Sequence, residues 1–309
     1  MTWANFPAGD YSWDSGTSFN AKTLVICLMI EAVCYNCKSA ESSLYDQENG
    51  YNLVKCDDCG LLYVNPRPPL EEINAASKSG MHRGDELLDV TGSFEKRLKN
   101  MYLGRLDDLG FSTLSNGPRT IDWLDIGCGH GEFIDALEQI GRDAIQVTGL
   151  EPNQQKREGA VKRGLDVQFF NVAEHERTYD VISALNVYSH LPDPIGDIGQ
   201  YCGMLNKDGE LLLQTGDSAH LPAKDHHKPY LLPDHLSFTS KDILVSSLER
   251  LDLEVLEIKK YRMGQYPRFT PISILKEFAR AVLPGRTASF HFFPNHPDRD
   301  MWIRARKKS

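Results

Sequence analysis

The sequence predicts an α/β chain in which strands and helices alternate, preceded by a small cysteine-bearing module. Three observations carry this reading. The apolar run Ile121-Asp-Trp-Leu-Asp125-Ile enters a turn with glycines at 127, 129 and 131, and Phe133, Ile134, Leu137 and Ile140 then keep helical spacing. A second apolar run, Ile145 to Leu150, ends in Glu151. Upstream stand two Cys-x-x-Cys pairs, Cys34/Cys37 and Cys56/Cys59.

Strand, tight turn and helix in that order make a seat for a nucleoside cofactor. Glycines let the backbone pass close to a ligand with no Cβ in the way, and Gly131 can start a helix packed against the strand. Gly-x-Gly alone is also common in plain loops. Glu151, about 20 residues beyond the glycines, adds an acid able to accept both ribose hydroxyls, and the two features agree.

Further along, Leu165 to Phe170 reads as a third strand, followed by Asn171-Val172, and Tyr179 to Leu185 as a fourth. Ile195, Ile198, Cys202 and Leu205 keep helical spacing, and Lys207-Asp-Gly209 turns the chain into the strand Leu211 to Gln214. Thr239-Ser-Lys-Asp242 opens a helix in capping-box fashion, with Ile243, Leu244, Leu248 and Leu251 on its buried side. Leu253 to Ile258 and Met301 to Ala305 complete the strands.

The glycine turn departs from the dinucleotide pattern Gly-x-Gly-x-x-Gly. Gly127-Cys-Gly129-His-Gly131, preceded by Asp125, instead resembles the first motif of the class I S-adenosylmethionine-dependent methyltransferases. The resemblance runs from about residue 119 to the end. It implies that Asp125 brackets the methionine amine, that Gly127, Cys128 and Gly129 line the cofactor, and that Glu151 holds the ribose. Asn171 and Val172 stand where such enzymes contact the adenine edge, although an acid is commoner at the first position. Asn186-Val-Tyr-Ser-His190-Leu-Pro-Asp-Pro194 resembles the family's catalytic edge after the fourth strand, with Asn186 beside the cofactor. The implied fold is a Rossmann-like seven-stranded sheet with helices on both faces, its last strand inserted antiparallel beside the fifth.

Four cysteines in two knuckles separated by eighteen residues have zinc-ribbon spacing. Cys34, Cys37, Cys56 and Cys59 can close a thiolate tetrahedron with no open position, so the metal is expected to be structural. Two disulfides or four free thiols are the competing reading. The total of seven cysteines is odd, with Cys27, Cys128 and Cys202 outside the ribbon, which suits a reducing compartment and a cytoplasmic location. The closing pattern Cys56-Asp-Asp-Cys59-Gly-Leu-Leu-Tyr-Val-Asn-Pro-Arg-Pro68 resembles the ribbon of bacterial glycan and secondary-metabolite methyltransferases. In those relatives an amphipathic helical stretch follows. Residues 69–110 fit it through Leu70, Ile73, Phe94, Leu98 and Leu103, and it is placed to cover the cofactor.

A chain of 309 residues with 41% hydrophobic content suits about two domains with a sizeable core. The expected division is an N-terminal extension at 1–33, a ribbon at 34–68, a helical linker or cap at 69–118 and a methyltransferase domain at 119–309. Insertions at 217–238 and 261–297 are expected on its acceptor side. Met29 reads as a natural start for the ribbon, with residues 1–28 an upstream extension of the reading frame. The apolar run Thr23 to Ile30 is far too short to span a membrane. A net charge of −9 gives counterion-release attraction little to work with, so a general nucleic-acid partner is disfavoured.

His190 is the first candidate for a general base, because imidazole titrates near neutral pH and the position follows the fourth strand. A structural histidine fits the same pattern. His235, in Pro233-Asp-His235, is the second candidate. Tyr266, Phe269, Phe290, Phe292 and Phe293 form either an acceptor wall or the core of a small cap. The spacing of His220, His226, His227 and His235 matches no compact metal pattern. The leading function is O-methylation of a sugar or sugar-linked metabolite, on the analogy of the ribbon. The alternatives are an RNA methyltransferase whose ribbon grips nucleic acid, and a catalytically silent zinc-ribbon scaffold.

Overall fold

The computed structural model describes residues 29–116, 119–172, 175–262, 271–283 and 299–308. The upstream extension, Cys27 and the five aromatic residues of the acceptor wall or cap lie outside them. The first hairpin joins β1 (Ser42–Glu48) to β2 (Tyr51–Cys56) through Asn49 and Gly50, at φ 51 and 83. Asn-Gly tolerates two successive positive φ angles, the requirement of a two-residue hairpin turn. β3 (Leu62–Val64) pairs with β2, and helix α1 (Leu70–Ser79) follows.

Between residues 69 and 110 the structure differs from the expected helical stretch. Gly80, at φ 75, ends α1 and donates its N–H to Ala76 O, as a left-handed cap does. The chain then forms a small hairpin, β4 (Met81–His82) with β5 (Leu88–Asp89), before α2 (Lys96–Asp108). Leu70, expected on the apolar side, is exposed. The segment Met-His-Arg-Gly-Asp after Gly80 has no helical apolar period, so a helix there would bury nothing.

The remaining elements are β6 (Ile121–Ile126), α3 (Glu132–Gly141), β7 (Ile145–Glu151), α4 (Gln154–Lys162), β8 (Val167–Phe169), β9 (Tyr179–Leu185), α5 (Pro194–Gly203), β10 (Leu205–Gly216), β11 (Ser237–Phe238), α6 (Lys241–Arg250), β12 (Leu253–Tyr261), α7 (Pro271–Val282) and β13 (Asp300–Lys307). Seven of the strands form one sheet in the order β12-β13-β10-β9-β6-β7-β8. β13 runs antiparallel to β10 and β12, and the other pairings are parallel. This is the Rossmann-like methyltransferase sheet, with its last strand inserted beside the fifth.

Side-chain alternation along the strands supplies two cores. Leu124, Ile126, Ile182, Leu211, Leu213 and Ile303 face α5 and α6, against Ile198, Cys202, Leu244 and Leu248. Trp123, Val181, Leu212 and Trp302 face the other way, onto Leu106 of α2 and Phe133 and Leu137 of α3. A parallel sheet buried on both faces needs apolar residues at successive positions, as β6 has in Trp123 and Leu124.

Two local details depart from the sequence reading. Lys207-Asp-Gly209 is a bulge inside β10 rather than a turn before it: Leu205 pairs with Tyr179 and Glu210 with Val181, with Asp208 at φ 61. The α6 cap is Ser240, whose Oγ accepts from Ile243 N, while Thr239 is fully buried. Asp217 Oδ1 accepts Lys241 N at 2.8 Å and meets a second free amide of that first turn.

β11 completes a second sheet, β1-β2-β3-β11, by pairing Ser237 with Tyr63 and Phe238 with Leu62. Glu48 accepts the amides of Tyr230, Leu231 and Leu232 at 2.7, 2.6 and 3.2 Å. Segment 217–238 is therefore seated on the cysteine-bearing hairpins, and Leu236 packs with Cys34, Cys56 and Tyr63. No helix among the described residues is long and apolar enough to cross a membrane.

Candidate active site

The glycine turn closes on the ends of two strands. Gly127 N and Cys128 N donate to Leu150 O at 2.7 and 3.2 Å, and Gly129 N donates to Glu151 Oε2 at 2.7 Å. All three glycines have positive φ, but for different steric reasons. A Cβ on Gly127 would lie 2.5 Å from Val187 Cγ2, and one on Gly131 would lie 2.4 Å from Leu165 Cδ1. A Cβ on Gly129 would meet no heavy atom within 4 Å. Gly129 thus borders open space at the carboxyl end of the sheet, where open α/β sheets place their ligands.

Three carboxylates converge behind that space. Asp125 is 2% exposed and its Oδ1 accepts Ser183 Oγ at 2.6 Å. Burial, then the nearby charges of Glu151 and Glu132, push its carboxyl up to about 7, against the Ser183 hydrogen bond that pulls it down. Burial also raises Glu151, against the amides of Asn153 and Gly129 that pull it down. Glu132 accepts Glu95 N at 2.9 Å. Buried acids that destabilise one another's charge are relieved by a cation, and an ammonium beside Asp125 would supply it.

The other expected positions are placed as follows. Cys128 turns its sulfur into the core with Ile134, Ala160, Leu165 and Val167, so its side chain does not line the open space. Asn171 and Val172 follow β8 half-buried, and Val172 packs against the core. Asn186 is exposed after β9 at φ 58, next to the Val187 that confines Gly127.

His190 ends the tight turn Tyr188–His190 that follows β9. Its Nδ1 lies 3.0 Å from Asp234 O and 3.1 Å from Asp234 Oδ1. His82 Nε2 lies 3.1 Å from the same Oδ1. The His235 ring stands 4.8 Å from that of His190, centroid to centroid, and its Nδ1 donates to Tyr230 O at 2.7 Å. Burial pulls the His190 imidazole down, but the charge and hydrogen bonds of Asp234 outweigh it and the net direction is up. Burial, then the His190 charge, lowers His235 to about 4. Asp234 is pushed up by its own burial yet held well below the usual carboxylate range by His190, His235 and His82.

Sequence reasoning named His190 and His235 as candidates but neither Asp234 nor His82. Asp234 had a signal, its place beside His235 in the quoted motif. His82 had none, since its relation to Asp234 is made only by the hairpin. Among the loop histidines, His220 is exposed with Nδ1 3.5 Å from Asp217 Oδ1. His226 is buried among Tyr45, Tyr230 and Phe238, with Nδ1 3.1 Å from His227 O.

The four cysteines gather beside Leu236, the residue after His235, which packs with Cys34 and Cys56. Cys34 Sγ is 3.5 Å from Cys59 Sγ and Cys37 Sγ 3.4 Å from Cys56 Sγ, and all four lie within 4.8 Å of one another. None is in a disulfide. The knuckles match: Lys38 N donates to Cys34 O and Gly60 N to Cys56 O, with φ 64 and 77 at Lys38 and Gly60.

Comparison with known proteins agrees with this geometry. A family model described as "Methyltransferase domain" matches residues 97–258, more than half of the chain. The ubiquinone biosynthesis O-methyltransferase of Salmonella paratyphi A is 30% identical over 102 residues, covering 30% of this chain and 41% of that protein. The Haemophilus ducreyi protein of the same name is 32% identical over 144 residues, covering 41% and 57%. This chain therefore spans about two fifths to three fifths of the length of these relatives. Similar solved structures include a putative methyltransferase from Bacillus halodurans, with TM-score 0.48, 16% identity and coverage of 67% and 99%. Another is the magnesium protoporphyrin IX methyltransferase of Synechocystis PCC 6803 with bound S-adenosylmethionine, with TM-score 0.42, 11% identity and coverage of 69% and 79%. With the matched model, the sheet order and the carboxylate-flanked glycine turn in place, the chain belongs to the methyltransferase domain family and has the Rossmann-like methyltransferase fold.

Proposed function

We propose that this enzyme methylates a hydroxyl oxygen of a small molecule, most specifically a sugar or sugar-linked metabolite, with His190 as general base. The observation that carries the base assignment is the 3.1 Å pairing of His190 Nδ1 with Asp234 Oδ1. An ionised carboxylate only accepts, so Nδ1 carries the hydrogen and Nε2 keeps its lone pair for the acceptor hydroxyl. The ubiquinone relatives, named as O-methyltransferases, support oxygen as the acceptor atom. The sugar class rests on the analogy of the ribbon.

When bound, S-adenosylmethionine supplies an electrophilic methyl group on a positively charged sulfur. Asp125 would face its amine, Glu151 its ribose hydroxyls, and the backbone at Gly129 its body, with Asn171, Val172 and Asn186 at the rim. Positioning the acceptor in line supplies most of the rate, and the base removes the hydroxyl proton as the oxygen attacks. His235, lowered to about 4, stays neutral and orients the acceptor beside His190.

The four cysteine sulfurs fit one structural zinc, since a tetrahedron of Zn–S bonds near 2.3 Å brings the sulfurs to roughly the spacing seen here. We assign it no step in the reaction. The test is transfer of labelled methyl from S-adenosylmethionine to nucleotide sugars, phenols and RNA. Label in a hydroxyl of a sugar supports the full reading, and label in a phenol keeps only the coarser one. Label in RNA, or an absence of cofactor binding by zinc-loaded protein, overturns it.

A further inference from the structure

The hairpin β4–β5 connects parts of the molecule that are far apart in sequence. Tyr51 Oη donates to Arg83 O at 2.7 Å, and Glu86 N donates to Asn49 Oδ1 at 2.7 Å, so its outer side rests on the first ribbon hairpin. Its other end meets the cofactor crevice. Thr91 O lies 3.0 Å from His130 Nε2 in the glycine turn, and a Cβ on Gly80 would lie 2.8 Å from Asn153 Nδ2, just beyond Glu151. His82, 6% exposed, is thereby delivered to Asp234 Oδ1 at 3.1 Å.

We propose that His82 is a positioning residue of the acceptor site: its Nε2–H donates to Asp234 Oδ1 and holds that carboxylate on His190 Nδ1, which keeps His190 Nε2 free of hydrogen. This rests on the reading of His190 as the base. One carboxylate oxygen has two lone pairs, so the two imidazoles share it without competing. The groups facing Asp234 are His82, His190 and His235; those acting on His190 are Asp234, His235 and, through the shared carboxylate, His82, with the Lys156 charge also felt. His190, Asp234 and His235 also bring ligand-type atoms within 4.8 Å. With hydrogen on both nitrogens that meet Asp234, the lone pairs a metal would need are those of His190 Nε2 and His235 Nε2.

The test is long-range proton–nitrogen NMR of the full, zinc-loaded chain with labelled histidine and S-adenosylhomocysteine, so no acceptor is needed. In the unaltered protein His190 is expected as the Nδ1–H tautomer, with its protonation midpoint above the ordinary value near 6.5. His82→Leu should mix the His190 tautomers, with Nε2–H rising to at least about a quarter, and return the midpoint toward 6.5. His82→Gln, which keeps a donor at the same reach, should restore both. An unchanged His190 in His82→Leu, or failure of His82→Gln to restore it, overturns the proposal and leaves the base assignment standing. A His190 found as the Nε2–H tautomer in the unaltered protein overturns the base assignment itself. If His82→Leu does not fold, His82→Gln against His82→Asn, whose amide falls short of Asp234, carries the same comparison.

Discussion

Gly129 N donates to Glu151 Oε2 over 2.7 Å, so one carboxylate at the end of β7 closes the turn at the end of β6. The other oxygen, Oε1, accepts Asn153 N at 2.8 Å. The acid is thus held from two sides before any ligand arrives. Glu151→Ala removes both acceptors, and each buried amide left unpaired costs about 1–3 kcal/mol. We expect affinity for S-adenosylmethionine to fall by about tenfold or more, with a lower Tm. Glu151→Gln should retain more of the fold than of the affinity. Calorimetry and thermal melting read the two effects separately, and unchanged affinity in Glu151→Ala would remove the residue from the cofactor site.

The three glycines of the turn should separate by assay. Gly129→Ala adds a methyl into open space at φ 58, with strain of about 1–2 kcal/mol, so the protein should fold and lose cofactor affinity. Gly131→Ala drives a methyl to 2.4 Å from Leu165 Cδ1 and should lower Tm further, because Leu165, buried with Cys128, Ile134, Ala160 and Val167, must give way. Equal losses of affinity and stability in both variants would contradict this reading of the turn.

Stability should depend on pH in two opposed ways. His226 and His235 are both lowered to about 4, by burial first, whereas each protonates near 6.5 in an unfolded chain. Their stabilisation is present above about 6.5 and is lost as pH falls through the folded value near 4. For His226, 5% exposed, this is on the order of 3 kcal/mol. His190 is raised, so its contribution is full below about 6.5 and lost as pH rises through its folded value. Tm should drop between pH 6.5 and 4, and His226→Gln should flatten that drop. Turnover should rise with pH through a midpoint above about 6.5, since the base acts only when neutral.

Loss of the proposed zinc should reach segment 217–238. Cys56→Ser is expected to take bound zinc from one equivalent to none by elemental analysis. Because β11 pairs with β3 and Leu236 packs on Cys34 and Cys56, the same change should loosen segment 217–238, read as faster hydrogen exchange at Leu236 and Phe238. Zinc retained in full by Cys56→Ser would reject the four-thiolate site.

Local chemistry was legible wherever a residue's role depends on its near neighbours. Asp125 before the glycines, Glu151 at the next strand end and the paired knuckles are each written within a few positions, because a turn or a knuckle is made by consecutive backbone. Small shifts also have local causes. Ser240 caps α6 instead of Thr239: the Ser240 Oγ accepts Ile243 N, while the Thr239 hydroxyl is turned to Ser240 O, to which it donates at 3.3 Å. Cys128 lies in the cofactor motif by sequence, yet its sulfur is directed inward because Gly149 leaves room beneath it.

From the chain alone came the order of the seven strands of the large sheet, the carboxylate-flanked turn, the cysteine quartet and the candidacy of His190, since periodicity and spacing are properties of adjacent residues. Tertiary structure alone brought His82 from the linker and Asp234 from the insertion onto one another, and set β11 into the ribbon's sheet. Residues more than a hundred positions apart meet only when separate hairpins pack together, and no local pattern records which ones will.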